Sequence, residues 1–427
     1  MTTAQEIPWI ISVDDHIMEP PHLWQTWLPA ALREQGPKIV RLPWQRGGGM
    51  RSHGFEPASD GPITEFWEIG EFRLAIPKVE AAAGLPPEEV THDPITFEEM
   101  RPGCWQVPAR LADMDRAKIE RSLCFPNTCR FAGQLFLWME DKELALAYLR
   151  AYNDWMVEEW AGESGGRLLP LCLVPLWDPA LAAVEVRRNA ARGVRAVSFT
   201  ELPAMLDLPS IHAADGHWLP FIQACDETGT VICMHIGSSS TVPSTGNDAP
   251  GRIRQATINF NAQLSFVDWL FSGLLVKYPN VKLAFSESQI GWMPYALERM
   301  DRIWRVGNAI SKVGDVFVEP PSAQMAGRVF GCFFEDDFGI EVREAVGIDQ
   351  ITFESDFPHQ DSTWPHTHEY LSKALAGLPE DEVYKITRGN AIRMLGLEPD
   401  LRQSIPRSGM RSARTSEHVA HQNAEEA

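Results

Sequence analysis

The stretch Val-Ile-Cys-Met-His, from Val231 to His235, is a continuous apolar run that ends in one histidine. Continuous apolar runs of this length are typical of parallel strands covered on both faces, whereas half-exposed strands alternate. Seven further short runs are spread along the chain. Together they predict eight strands: Ile10 to Val13, Ser122 to Phe125, Leu168 to Val174, Arg195 to Phe199, Val231 to Met234, Lys282 to Phe285, Val329 to Phe334 and Ile351 to Phe353.

Amphipathic stretches with helical spacing separate these runs. One of them opens with Asp178 and Pro179, a typical helix start, and stops before Gly193. Alternating strands and helices indicate βα units. Eight units over this length favour an α/β fold of the (β/α)8 TIM-like barrel type over an open doubly wound sheet. The predicted helices are Pro108 to Lys118, Glu143 to Trp160, Asp178 to Arg192, Gln263 to Tyr278, Pro294 to Arg305 and Glu380 to Leu395.

Three segments depart from this repeat. Residues 35–105, between the first two strands, are too long for a bare connection and predict a partly ordered cap insertion over the barrel mouth. Residues 238–251 are rich in Ser, Gly, Pro and Thr and predict a mobile loop. Residues 401–427 are polar and predict a disordered tail. We therefore expect one catalytic domain over residues 1–400.

The composition excludes several classes of partner. Acidic residues number 58 against 38 Lys plus Arg, giving a formal charge of -20, and such a surface repels nucleic acid. Seven scattered cysteines without a CxxC pair argue against disulfides and zinc ribbons. We find no signal peptide and no apolar run long enough for a membrane span. We therefore expect a cytoplasmic protein with a small-molecule substrate.

Ionisable residues recur where the predicted strands end. Because strand residues two apart share a face, Asp14 and His16 point the same way and Asp15 points away. The fifth strand ends in His235, and Glu287 follows the sixth strand. The eighth strand is followed by Asp356 and His359.

Carboxylates and imidazoles that converge on one barrel mouth are typical ligands of Zn, Mn or Fe. Taken alone, His235 is better explained as a hydrogen-bonded structural residue, and a single Asp is explained equally well as a helix cap. Candidate ligands at the ends of several strands are harder to explain as independent caps. We therefore predict a divalent metal centre at these strand ends.

Three motifs carry a family resemblance: Val13-Asp14-Asp15-His16 with Glu19-Pro20, Met234-His235-Ile236-Gly237, and Glu354-Ser355-Asp356-Phe357-Pro358-His359. They resemble the amidohydrolase-related family, the branch of the amidohydrolase superfamily that includes aminocarboxymuconate semialdehyde decarboxylase. The resemblance extends from about residue 10 to residue 397. It implies that Asp14, His16, His235 and Asp356 are metal ligands, that Asp356 is also the general base, and that the chain forms a homodimer.

Three residues depart from the family pattern. Asp14 stands where many relatives carry His or Glu, and its carboxylate still binds a metal. The other two departures leave the reaction open. Decarboxylating relatives place a histidine where this chain has Glu287, and commonly an aromatic residue where it has His359. Both residues are therefore candidates for catalysis beside Asp356, and for ligands of a second metal. They are equally explained as groups that orient the ligands or the substrate.

The departures favour a metal-dependent hydrolase that uses metal-activated water on a small organic substrate. A non-haem diiron monooxygenase with Glu287 and His359 in a dinuclear site is one alternative. A non-oxidative carboxy-lyase is the other. For the homodimer, we expect an exposed aromatic helix face from Trp155 to Trp160 to form the interface.

Overall fold

The computed structural model describes residues 6–47, 49–246, 248–306 and 318–399, and the predicted tail lies outside these residues. The described residues form strands at β1 Ile10–Ile17, β2 Lys38–Arg46, β3 Phe55–Pro57, β4 Ile63–Ile69, β5 Phe72–Pro77, β6 Pro94–Ile95, β7 Ile119–Pro126, β8 Leu168–Leu169, β9 Leu171–Cys172, β10 Ala196–Phe199, β11 Val231–His235, β12 Lys282–Ser286, β13 Val329–Phe333 and β14 Ile351–Phe353.

Nine of these strands form one parallel sheet in the order β8-β7-β1-β14-β13-β12-β11-β10-β9. All eight predicted strands are present in it. The strand predicted from Leu168 to Val174 differs from the prediction in two ways. It is divided into β8 and β9, and it ends at Cys172. Pro170 lies between the two parts, and a proline has no N–H for a strand ladder. The two outer strands of the order are thus separated in sequence by one residue.

Helices connect the strands much as predicted. The prediction from Gln263 to Tyr278 is wrong in one respect: the helix stops at Phe271, and Gly273 adopts a φ of 75° before a short second helix. The helix Pro179–Ala190 is capped by Asp178, whose side chain accepts from two backbone N–H groups. The α-helices are Leu23–Trp27, Val107–Ala117, Gln134–Trp138, Lys142–Trp155, Pro179–Ala190, Leu219–Thr228, Gly251–Thr257, Phe260–Phe271, Leu274–Lys277, Met293–Val306, Asp337–Glu341, Arg343–Val346, Thr367–Ala374, Glu380–Tyr384 and Asn390–Leu395.

The segment between β1 and β7 contains an antiparallel sheet in the order β3-β2-β4-β5-β6. Its own small core consists of Phe55, Phe66 and Ala75. The residues that come after β5 are joined by backbone hydrogen bonds to the loop after β14. Ala83 N–H donates to Pro358 O at 2.9 Å, and Gln360 N–H donates to Val79 O at 2.8 Å. The segment therefore lies beside the carboxyl end of the parallel sheet.

The helix face proposed for the dimer interface is not exposed. The expected exposed aromatic face from Trp155 to Trp160 is wrong, because both indoles are buried in the main core. The guanidinium of Arg110 is buried above the Trp160 ring, 5.2 Å from the ring centroid.

Among the described residues, no helix is long and apolar enough to cross a membrane. Residues 238–250 contain no helix or strand where the structure describes them, and their mobility stays a prediction.

The buried carboxylate of Asp15 ties three strands together. It accepts hydrogen bonds from the hydroxyls of Ser12 on β1, Ser122 on β7 and Ser355 after β14. The backbone N–H of Phe357 donates to it as well, at 3.2 Å. The register of β1 against β7 shifts between Ser12 and Asp15, so Asp15 turns away from Asp14 and His16 as predicted.

We predict that Asp15→Ala destabilises the metal-free protein by about 3 kcal/mol, because four buried donors lose their acceptor. Urea unfolding in the presence of a chelator measures the change. Asp60→Ala, at an exposed position, is the matched control and should lie within about 0.5 kcal/mol of wild type. Equal effects of the two substitutions would show that Asp15 does not hold the strands.

Candidate metal centre

The six residues predicted from the strand ends lie together at the carboxyl edge of the parallel sheet. Carboxyl ends of parallel strands meet at one edge, where α/β folds bind their ligands. The structure places Asp14 and His16 on β1, His235 at the end of β11, Glu287 directly after β12, and Asp356 and His359 after β14.

Two imidazoles face each other at the centre of this cluster. Nε2 of His16 lies 3.1 Å from Nε2 of His235. Nδ1 of His235 lies 2.6 Å from the carbonyl oxygen of Ile236, so Nδ1–H donates there and Nε2 keeps its lone pair. That lone pair points into the cluster, which is the orientation that a metal ligand requires.

Two carboxylates lie beside the imidazoles but accept no hydrogen bond from them. Asp14 lies 3.6 Å from Nε2 of His16 and 3.4 Å from Nε2 of His235, and Asp356 lies 3.4 Å from Nε2 of His16. All four oxygens of these two carboxylates are buried and accept no hydrogen bond from the described residues. Buried carboxylates without donors are costly unless a cation neutralises them.

The pKa values point in the same direction. Burial raises the pKa of Asp14, Glu287 and Asp356 well above the ordinary carboxyl range, and repulsion from neighbouring carboxylates, Glu354 among them, raises it further. When several carboxyl groups in one buried site all resist ionisation, the site has no positive charge that would stabilise their ionised forms.

The histidines cannot supply that positive charge. Burial lowers the pKa of His16 well below its usual value, lowers that of His235 to about 3 and lowers that of His359 to about 4. Neutral imidazoles are metal ligands rather than counter-ions.

The residues present therefore fit a divalent cation. Asp14, His16 and His235 can each bring one ligand atom within 4.8 Å of the others, and His16, Asp356 and His359 form a second such group. Two nitrogens and two carboxylates suit Zn, Mn or Fe. Asp14, His16, His235 and Asp356 are the side chains that would hold the ion.

Glu287 and His359 occupy the open side of this cluster. Their side chains are 16% and 11% exposed, whereas those of the other four are at most 1% exposed. Glu287 Oε2 lies 3.3 Å from Nε2 of His235. Glu287 and Asp356 both have a positive φ, 55° and 53°, which is unfavourable for residues with a side chain and is found at functional sites.

His359 is oriented by residues that the sequence analysis missed. Its Nε2 lies 3.2 Å from Oδ1 of Asn127, and Nδ2 of Asn127 donates to Glu80 at 2.8 Å. Since Oδ1 can only accept, Nε2–H of His359 is the donor. Nδ1 is left 3.0 Å from Asp356 Oδ1, and the ring stacks on His16 with centroids 3.7 Å apart.

The loop that carries Asn127 is held by a second buried carboxylate. Glu19 accepts the backbone N–H groups of Asn127, Thr128 and Cys129 at 2.8–3.2 Å. Asn127 directly follows the strand-ending Pro126, and this position is a signal that could have found it. Glu80 lies in the segment between β1 and β7, where no periodic pattern pointed to the site.

Glu354 was also missed as a site residue, although its position carried a signal. It precedes Asp356 by two residues, the same spacing that relates Asp14 to His16. Its side chain is fully buried and accepts the backbone N–H of Glu287 at 3.0 Å and the thiol of Cys332.

Comparisons with known proteins bear on this arrangement. A family model described as Amidohydrolase matches residues 22–397. An amidohydrolase from Mycobacterium avium subsp. paratuberculosis K-10 is similar in structure, with a TM-score of 0.65 and 22% identity over 92% of this chain and 100% of that chain. No curated protein matches the sequence.

Two decarboxylases are also similar in structure. The 5-carboxyvanillate decarboxylase of Novosphingobium aromaticivorans, complexed with manganese and 4-hydroxy-3-methoxy-5-nitrobenzoic acid, has a TM-score of 0.61 and 13% identity over 91% of this chain and 96% of its own. A dihydroxybenzoic acid decarboxylase of Polaromonas sp. JS666, with manganese and 2-nitroresorcinol, has a TM-score of 0.55 and 16% identity over 91% and 97%. At these identities the likeness shows the fold alone.

We predict that the metal-free protein loses stability as the pH rises from about 6.5 to 8. Asp14, Glu287 and Asp356 have raised pKa values in the folded state, so folding is favoured while they are protonated and this gain is lost as they ionise. Neutral buried histidines oppose this trend only below their unfolded pKa of about 6.5. The thermal midpoint, followed by circular dichroism with a chelator, should therefore fall.

Saturating Mn²⁺ should raise this midpoint and flatten its pH dependence, because the cation favours the ionised carboxylates. Asp14→Asn, which removes one of the repelling charges, should flatten the metal-free curve. A metal-free midpoint that stays constant or rises over the same range would contradict the assignment of uncompensated carboxylates.

Proposed function

Because the chain belongs to the amidohydrolase family, we propose that it is a metal-dependent carboxy-lyase that removes CO₂ from a hydroxylated aromatic acid or a similar small acid. The family resemblance seen in the motifs is confirmed by the match over residues 22–397. The proposal rests on the buried, cation-deficient cluster around Asp14, His16, His235 and Asp356, which lies in a fold shared with decarboxylases that carry manganese.

The surroundings of the cluster suit a flat, partly apolar substrate. The ring of Phe131 lies 5.0 Å from that of His16 and 4.2 Å from that of His235. Asp14, His16, His235 and Asp356 would hold a divalent ion, which would supply positive charge for a substrate carboxylate and for the electrons left behind when CO₂ departs. Without such a cation, the carboxylates of this site would repel an acidic substrate.

Loss of CO₂ requires a proton at the carbon that carried the carboxylate. His359 is the group that we assign to this step. Its Nε2–H is used by Asn127, so Nδ1 is the nitrogen available to carry the proton, 3.0 Å from Asp356. Because the buried imidazole is neutral, Nδ1 first takes up a proton from solvent. The C–C bond then breaks with its electron pair left on the substrate carbon, and that carbon takes the proton from Nδ1, which leaves His359 neutral again.

Glu287 distinguishes this site from the pattern expected of decarboxylases. Its fractional exposure supports a place beside the substrate, where its carboxylate could accept a hydrogen bond from a hydroxyl group. We therefore propose that Glu287 selects substrates with a hydroxyl group that can donate to it.

Hydrolysis, the reaction that the sequence favoured, is the second candidate. The unpaired oxygens of Asp356 can accept a proton from water, and Glu287 and His359 lie where a leaving group would take one. The diiron monooxygenase is the third candidate, because Glu287 and His359 both lie against the four ligands. The structural relatives named as decarboxylases support the carboxy-lyase better than either alternative.

The proposal extends to the architecture around the site. We propose that the parallel sheet closes into a TIM-type barrel, since its outer strands β8 and β9 are separated by Pro170 alone. The segment between β1 and β7 would then be the cap that contributes Glu80.

The homodimer and the cytoplasmic location stay proposals. Analytical ultracentrifugation tests the first, and cell fractionation tests the second.

Incubation of the Mn²⁺-loaded protein with a panel of hydroxybenzoic acids in D₂O, without dioxygen, tests the reaction. We predict one CO₂ per substrate consumed and one deuterium on the product carbon that carried the carboxylate. Mass spectrometry and NMR measure both. Hydrolysis of esters, lactones or amides without CO₂ release would favour the hydrolase, and substrate-dependent dioxygen uptake in air would favour the oxygenase.

We predict that His359→Gln lowers kcat by about 10²- to 10³-fold, because the proton is then delivered by solvent. Manganese content should stay unchanged. His366→Gln is the matched control, since that side chain is 72% exposed. An unchanged kcat, or loss of the metal together with activity, would remove His359 from the assigned role.

A further inference from the structure

A second group of buried potential ligands lies beside the first. Asp14, Cys332 and Glu354 can each offer one ligand atom, and these atoms lie within 4.8 Å of one another. Two ligands on one ion, each at about 2.0–2.3 Å, are at most about 4.6 Å apart, so small side-chain shifts suffice to close on a cation.

Three adjacent strands of the parallel sheet bring these residues together. Asp14 lies on β1 and Cys332 on β13, and Glu354 directly follows β14, which pairs with both of those strands. The pairing of Cys332 with Thr352 in the β13–β14 register sets the thiol near the carboxylate two residues later. Their positions are therefore set by the sheet rather than by a loop.

Only some of the polar atoms of this group have a hydrogen-bond partner. Glu354 Oε2 accepts the backbone N–H of Glu287 and the thiol of Cys332. Glu354 Oε1 and both oxygens of Asp14 are buried and accept no hydrogen bond from the described residues. Two neighbouring buried carboxylates that repel each other and keep oxygens without donors indicate a place for a cation between them.

We propose that Asp14, Cys332 and Glu354 bind a second divalent ion, with Asp14 bridging it to the first. A carboxylate has two oxygens and can hold one ion on each. His16, which is common to the other two ligand groups, has one lone pair on Nε2 and cannot be shared between ions. The groups around His16 thus describe one ion, and the group with Cys332 describes another.

The ligand types set the class of ion. Thiolate is a soft ligand and selects Zn, Fe or Co over Mg or Ca. The ion replaces the thiol proton of Cys332, which leaves to solvent, so the S–H bond breaks as the metal–sulfur bond forms. This assignment differs from the sequence prediction of Glu287 and His359 as second-metal ligands, and leaves those two more exposed residues to the substrate.

Titration of the metal-free full-length protein with Co²⁺ tests the proposal, and it does not depend on which reaction the enzyme catalyses. Equilibrium dialysis gives the stoichiometry, and sulfur-to-cobalt charge-transfer absorption in the near ultraviolet reports thiolate ligation. We expect two ions per chain with this absorption in the wild type. Cys332→Ser should bind one ion without the absorption.

Cys225→Ser is the matched control, because that thiol is buried in the helix Leu219–Thr228, away from the sheet edge. It should keep both ions and the absorption. A wild type with one ion per chain, or with two ions and no thiolate absorption, would overturn the proposal, and neither result requires a variant that folds. Glu354→Gln should weaken the second ion at least tenfold, and unchanged affinity would also count against the site.

Discussion

Uncompensated negative charge, buried at the carboxyl edge of the parallel sheet, is the constraint on which the rest of the molecule depends. Asp14, Glu287, Glu354 and Asp356 repel one another in one buried place, and burial keeps the neighbouring imidazoles neutral. Such a cluster opposes folding unless a cation joins it. A divalent ion held at this site would explain why these side chains are tolerated together.

The surrounding structure holds the cluster in place despite its cost. Asp15 binds hydroxyls from three strands, and Glu19 fixes the loop that presents Asn127. The buried guanidinium of Arg110 donates to the carbonyl oxygens of Gly103 and His16, so a cation outside the cluster anchors the end of β1. The bonds from Ser355 and Phe357 to Asp15 hold the backbone on both sides of Asp356, which adopts an unfavourable positive φ.

Sequence alone predicted most of this architecture because two signals were strong. Continuous apolar runs located all eight strands, and alternation along β1 separated Asp14 and His16 from Asp15. The convergence of six ionisable residues followed from their common place at strand ends. The division at Pro170 was missed because the run around it is apolar on both sides.

The residues that sequence could not find act across long separations. Glu80 reaches Asn127 from the inserted segment, and no local pattern encodes that contact. Cys332 resembled a core residue, because a thiol in an apolar strand is usually one. The motifs did not decide the reaction, because the side chains of Asp356 and His359 would suit hydrolysis and decarboxylation alike.

Anomalous diffraction from crystals soaked in Mn²⁺ tests the central claim most directly. The account predicts a strong anomalous peak within bonding distance of Nε2 of His16, Nε2 of His235 and oxygens of Asp14 and Asp356. Absence of a peak there at saturating Mn²⁺, in crystals with ordered side chains at all four positions, would contradict it.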